Sequence, residues 1–177
     1  SDHDSWHPRW AERLMAELDR SPGVVLAYPR TLRFHRSASA RVPRSFETFG
    51  VQDPIDRVRL AAEGIFAGDM IYGLFRASTL AAAGVFRSVL LPDRQVLLAL
   101  AALGEFRQVT DVLWYREVPQ VFSVVRQRAA LFGGAVPPHV YLPYYVQHCG
   151  LMLWDFAIRG RGGARLDRAT GMRAAAA

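Results

Sequence analysis

Ser1-Asp2-His3-Asp4-Ser5-Trp6-His7-Pro8 sets two carboxylates two residues apart in a short polar segment, directly ahead of an amphipathic helical pattern. Two carboxylates so spaced at the end of a strand can both reach one hard divalent cation. Alternatively, one can hold the cation while the other takes a ribose hydroxyl. A cation of this kind keeps open positions for substrate phosphates, which points to a site handling a nucleotide diphosphate. The plainer reading of the same residues is a solvated acidic pair that caps the following helix and complements its dipole.

Working outward, Pro8 to Arg20 has the pattern of a helix, with Trp10, Leu14 and Leu18 recurring every four residues and Ser21-Pro22-Gly23 ending it. Gly23-Val-Val-Leu-Ala-Tyr-Pro29 then reads as a short buried strand closed by proline. A helix leading through a tight turn into an apolar strand is an α/β unit. From Arg30 to Asp53 the pattern dissolves into Arg, Ser, Pro and isolated aromatics, which predicts a surface loop pinned by Phe46 and Phe49. Helical periodicity returns over Asp56 to Phe66, and Gly68 to Arg76 reads as a strand with Gly73 placed where a side chain would crowd a close neighbour. Ser78 to Ala83 predicts a short helix. Pro92 and Asp93 open an apolar helix, and Arg107–Val109 and Val112–Arg116 have strand character.

The chain has 177 residues, 51% hydrophobic and 21% charged, enough to bury one core and to exclude a disordered tail. Its net charge is +6 and every one of its 22 basic residues is Arg. These arginines are spread along the chain and not interleaved with aromatics on one face, which argues against a nucleic-acid binder. A single cysteine, Cys149, builds neither a disulfide framework nor a CxxC metal site, so a reducing, cytoplasmic compartment and a buried inert thiol are the simplest readings. No apolar run is long enough to span a bilayer; Val140 to Ile158 comes nearest but is broken by Pro143, Gln147, His148 and Asp155. Its aromatics fit either a helix packed on the domain or one lying at a membrane surface.

The order of these segments resembles the C-terminal half of family-2 glycosyltransferases of the GT-A fold. The resemblance rests on Asp2-His3-Asp4-Ser5-Trp6-His7-Pro8, Val24-Val25-Leu26-Ala27-Tyr28, Tyr72-Gly73-Leu74-Phe75-Arg76, Gly84-Val85-Phe86 and Leu91-Pro92-Asp93. It covers residues 1–116 and depends on order and spacing more than on any one motif. It implies a mixed sheet flanked by helices, with Asp2 and Asp4 holding Mn²⁺ or Mg²⁺ against the diphosphate of a nucleotide sugar and Asp4 as the direct ligand. It further implies that Asp93 is the base of an inverting transfer to an acceptor hydroxyl, that Tyr72 and Gly73 face substrate, and that Arg116 faces the diphosphate. On the residues alone, Asp93 reads first as an ordinary helix cap and Arg116 as a surface or structural arginine.

Three features depart from that pattern. Glu117-Val118-Pro119 follows Arg116 where a histidine could have supplied a further metal ligand, and the acidic pair before the late helix is reduced to Pro92-Asp93. The strands that would bind the nucleoside base do not precede Asp2, so residues 1–118 are expected to be the C-terminal part of such a domain. Residues 119–158 are expected to form a helical appendage facing a glycan or lipid-linked acceptor, with a peripheral contact at the inner face of a membrane, and residues 159–177 a disordered basic tail. The competing expectation is a non-catalytic interaction module that pairs through an exposed sheet edge and an arginine-rich surface.

Overall fold

The computed structural model describes residues 4–35, 38–65, 68–117, 123–162 and 166–177, without the side chains of residues 35, 38 and 39. Asp2 therefore lies outside the described residues, as do Pro119 and the start of the helix expected from Val121. The architecture is a mixed, open sheet flanked by helices. Strand β1 (Ser5–Trp6) pairs antiparallel with β5 (Glu105–Glu117), which runs parallel to β2 (Val24–His35). On the far side of β2 lie two antiparallel neighbours, β3 (Ala38–Arg41) near its carboxyl end and β4 (Leu74–Phe75) near its start.

Helix α1 (Trp10–Arg20) covers one apolar cluster, in which its Leu14 and Leu18 meet Val24, Ala27, Val109 and Leu113 of the sheet. A larger cluster joins Val25, Leu26 and Phe106 to α2 (Pro54–Gly64), α3 (Ala77–Ala83) and α4 (Pro92–Leu103). Asp53 caps α2 by accepting from the Ile55 amide at 2.7 Å, and Pro54 takes the first helical position, where no amide donor is needed. The carbonyl end of α4 is satisfied by a side chain. Buried Arg57 donates Nε to Ala101 at 2.8 Å and NH2 to Ala102 at 3.1 Å, while NH1 reaches Val51 and Gln52.

Several elements depart from the sequence reading. The stretch from Arg30 is not a loop at first: β2 continues to His35 and β3 returns beside it, because Thr31, Leu32 and Phe34 are strand formers that pair with Trp114, Tyr115 and Glu117. Of the two expected pins, Phe46 packs on the main cluster, whereas Phe49 is exposed beneath the Arg107 guanidinium. Nor is Gly68 to Arg76 one strand. Gly68 adopts a left-handed conformation (φ 63°), a 3₁₀ turn follows over Asp69–Tyr72, and only Leu74 and Phe75 pair with β2.

The region expected to be an appendage shares the main core. Met152 and Phe156 come from α6 (Tyr144–Met152) and the π-helical segment that continues it (Leu153–Ile158), and both are buried in the larger cluster. The expected tail ends in a further helix, Arg168–Ala176, capped by Asp167 and burying Gly171, Ala174 and Ala175. Its contacts are made by the smallest side chains, which leave no hydropathy pattern to read. Cys149, expected to be buried, is exposed.

The edge of β5 is partly covered by the segment ahead of α2. Thr48 donates its amide to the Phe106 carbonyl and accepts the Phe106 amide on Oγ1, and Glu47 accepts from the Gln108 amide. Nearer the carboxyl end His7 donates to the Leu113 carbonyl before β1 takes over. Among the described residues no helix is long and apolar enough to cross a membrane.

Candidate functional site

The parallel pair β2 and β5 ends on two arginines. Arg33 and Arg116 are register partners, and both reach back to Asp69, the first residue of the 3₁₀ turn. Arg33 bonds Asp69 Oδ2 through Nε at 2.7 Å and NH2 at 2.6 Å, and Arg116 NH1 bonds Oδ1 at 2.5 Å. Each carboxylate oxygen is thus committed to a guanidinium, so Asp69 fixes both arginines at the strand ends and is not a free cation ligand.

An aromatic stack sits beside this cluster. Trp6 lies nearly parallel to Trp114, with centroids 5.4 Å apart, and the Tyr72 ring approaches Trp114 at 4.3 Å. The Arg116 guanidinium lies 5.4 Å from the Trp114 ring and 5.8 Å from Tyr72. Asp4 immediately precedes Ser5, whose register partner is Tyr115, so the antiparallel pairing carries Asp4 toward the Arg116 end of β5. Asp4, Tyr72 and Arg116, expected as site residues from widely separated stretches, therefore gather at the carboxyl ends of the parallel strands, where open α/β sheets bind ligands.

Gly73 has a packing explanation. A Cβ there would fall 2.4 Å from the Ala27 carbonyl oxygen and 2.8 Å from Tyr28 Cβ, so glycine lets the turn press against β2.

Asp93 is the second residue of α4, and the helix is capped not by it but by Leu91, a non-glycine residue at φ 50°. Asp93 is therefore not the N-cap residue; it stands in the first turn, where a carboxylate complements the helix dipole, and its Oδ1 is buried without a hydrogen-bond partner among the described residues. Oδ2 lies 2.6 Å from where a Cβ on Gly68 would stand. Asp93 thus abuts the residue before Asp69, which ties α4 to the arginine cluster through the Gly68-Asp69 peptide.

The approach to Asp93 is held from the C-terminal helices. Gln147 of α6 accepts from the Leu90 amide at 3.1 Å, and Gln127 of α5 (Val124–Phe132) accepts from Leu91 at 3.2 Å. His148 Nε2 donates to the Leu90 carbonyl at 2.7 Å, and burial lowers the imidazole pKa below its ordinary value. Arg87 completes the anchoring through buried Asp155 at 2.5 Å.

Next to the cluster opens a cavity of about 100 Å³, lined by Tyr28, Thr31, Arg33, Gly68, Asp69 and Gln108 among others. It holds a small group or a few waters, well short of the several hundred Å³ typical of a ligand pocket. The Tyr28 hydroxyl on its wall donates to the Phe46 carbonyl, and burial pushes that phenol far above its ordinary pKa, keeping it a neutral donor.

Sequence reasoning missed Asp69 and Arg33. Arg33 stood in a stretch taken for a loop, and Asp69 in one taken for a strand; the available signal was the Gly68-Asp69 pair itself, a left-handed turn followed by a carboxylate. The chain matches no protein-family model and no curated protein.

Proposed function

We propose that the protein carrying this chain is a GT-A-like glycosyltransferase, related to family 2, that transfers a sugar from a nucleotide diphosphate donor to an acceptor hydroxyl in the cytoplasm. The observation that supports it best is the gathering of Asp4, Tyr72 and Arg116 at the carboxyl end of β5, with Asp93 abutting the same turn through Gly68.

Mn²⁺ or Mg²⁺ fits the donors present. Among the described residues no three His, Cys, Asp or Glu side chains converge. Mg²⁺ in nucleotide sites is held by one or two carboxylates plus substrate phosphates, and Asp4 supplies one such carboxylate, with Asp2 beside it in sequence. When bound, the cation would supply Lewis-acid neutralisation of charge on the departing diphosphate.

The chain's own residues would do the rest. Arg116, oriented by Asp69, adds a guanidinium on the diphosphate side, and the Trp6, Trp114 and Tyr72 rings shield that end of the sheet from water. Asp93 takes the proton of the acceptor hydroxyl as that oxygen bonds the anomeric carbon and the bond to the diphosphate oxygen breaks on the opposite face. One carboxylate suffices for this inverting displacement, which matches the single acidic residue at the start of α4. The acceptor would be a glycan or a lipid-linked sugar.

The test is turnover of Asp93→Asn in the protein carrying the chain. Loss of a general base lowers kcat by about 10²- to 10⁴-fold with little change in donor KM. Turnover within a few-fold of normal removes Asp93 from the chemistry.

A further inference from the structure

The helix of α6 and its π-helical continuation is polar on the inside and apolar on the outside. Its buried face carries Gln147, His148 and Asp155, each engaged with the Arg87 to Leu91 segment. The outward face runs through Tyr145, Val146, Cys149, Leu153, Trp154 and Ile158, all exposed, with no charged or amide side chain among them. Tyr141, 65% exposed, extends the same surface from the preceding 3₁₀ turn. A contiguous apolar face of this kind on a folded chain marks an interaction surface.

The exposed charge on the segment that carries the face is of one sign. Between residues 123 and 162 the only acidic residue is Asp155, which is 2% exposed and paired with Arg87 and Arg161. The cations are Arg126, Arg128, Arg159 and Arg161, and two of them border the face directly. Arg128 lies 4.9 Å over the Tyr141 ring and Arg159 lies 5.4 Å over Trp154. Tyrosine and tryptophan bordered by arginine is the arrangement that suits the headgroup level of a bilayer.

We infer that this face is a membrane-binding surface for anionic phospholipid. The helix lies in the interfacial plane with its aromatic side at the level of the acyl boundary, and the flanking arginines meet the phosphates. The nine residues of α6 and the six that follow rise about 22 Å at 1.5 Å per residue, short of the roughly 30 Å hydrocarbon core, so the helix lies along the bilayer and does not cross it. A second copy of the chain is a poorer occupant, because a two-fold contact through this face would set the arginine border against itself. The inference is independent of the transfer chemistry: it uses no residue of the Asp4, Arg116 or Asp93 cluster.

The test is flotation of the purified protein with vesicles of phosphatidylcholine alone and of equal parts phosphatidylcholine and phosphatidylglycerol. Binding to the anionic vesicles, weaker by about tenfold or more on neutral vesicles or in high salt, is the expected result. The double variant Tyr145→Ser, Trp154→Ser, at exposed positions, should lose about tenfold or more in vesicle affinity with its unfolding midpoint unchanged. Arg128→Gln with Arg159→Gln should weaken only the anionic arm. Failure to bind anionic vesicles overturns the inference, as does equal binding by wild type and the Tyr145, Trp154 variant. A protein dimer that the same variant converts to monomer, without vesicle binding, assigns the face to a second copy instead.

Discussion

Asp93 Oδ2 occupies the space that a side chain at residue 68 would need, 2.6 Å from the position of a Cβ on Gly68. Gly68 also holds φ 63°, so a side chain there would meet both a strained backbone and the Asp93 carboxylate. Gly50 offers an internal control, with φ 84° and nothing within 4 Å of an added Cβ. Alanine at either position should cost about 1–2 kcal/mol in backbone strain, measured by urea unfolding. Only Gly68→Ala should displace the Asp93 carboxylate, and with it lower kcat by about 10²-fold. Equal activity in the two variants would separate Gly68 from the working geometry of Asp93.

Arg57 is the second position where one side chain decides a local structure. Its guanidinium serves four carbonyls, two at the end of α4 and two in the segment before α2. Arg57→Leu should destabilise the protein by about 3 kcal/mol or more, since buried carbonyls left without donors cost about 1–3 kcal/mol each. Arg57→Lys should recover little of this, because a single ammonium cannot span the same fork. Chemical denaturation of both variants checks the comparison.

His148 gives the stability a pH dependence of defined sign. Burial lowers its pKa below the ordinary 6.5, with Arg94 adding to the effect and the Leu90 bond and Asp93 opposing it. Below about pH 6.5 the unfolded chain therefore binds more protons at this site than the folded one, and stability falls with pH until the folded pKa is passed. His148→Gln removes the titration while keeping a donor for the Leu90 carbonyl. The stability gap between wild type and variant should be widest near pH 7.5 and narrow toward pH 5, read by thermal unfolding. A gap that is constant across that range would mean that His148 has the same pKa in the folded and the unfolded chain.

The arginine cluster supplies a fourth test. Asp69→Asn leaves Arg33 and Arg116 without their shared carboxylate. In the proposed transferase the variant should raise donor KM about tenfold, because Arg116 loses one of its anchors, and leave kcat largely unchanged. A change confined to kcat would place Asp69 on the acceptor side.

Much of the scaffold was legible in the sequence. The four-residue spacing of Trp10, Leu14 and Leu18 gave α1, the apolar run from Val24 gave the start of β2, and Pro92 marked the first residue of α4. The rest was hidden for physical reasons. Arg30, Arg33 and their neighbours look like loop residues until β5 is alongside to pair with them, and the Ala- and Gly-rich end of the chain packs by closeness, which hydropathy does not register. At the site, Asp4, Tyr72, Arg116 and Asp93 were each picked out by motif order, whereas Asp69 drew no attention because its role is to orient two arginines brought together only by the sheet.

In the proposed transferase the Asp4 end of the sheet takes a metal-bound nucleotide diphosphate. The most direct measurement is calorimetric titration of nucleoside diphosphates into the protein carrying this chain, with Mn²⁺ and then with chelator, for wild type and for Asp4→Asn. Binding should need Mn²⁺ and weaken about tenfold or more in Asp4→Asn. Binding that is indifferent to both chelator and Asp4→Asn, or no binding of any nucleoside diphosphate with Mn²⁺ present, would contradict it.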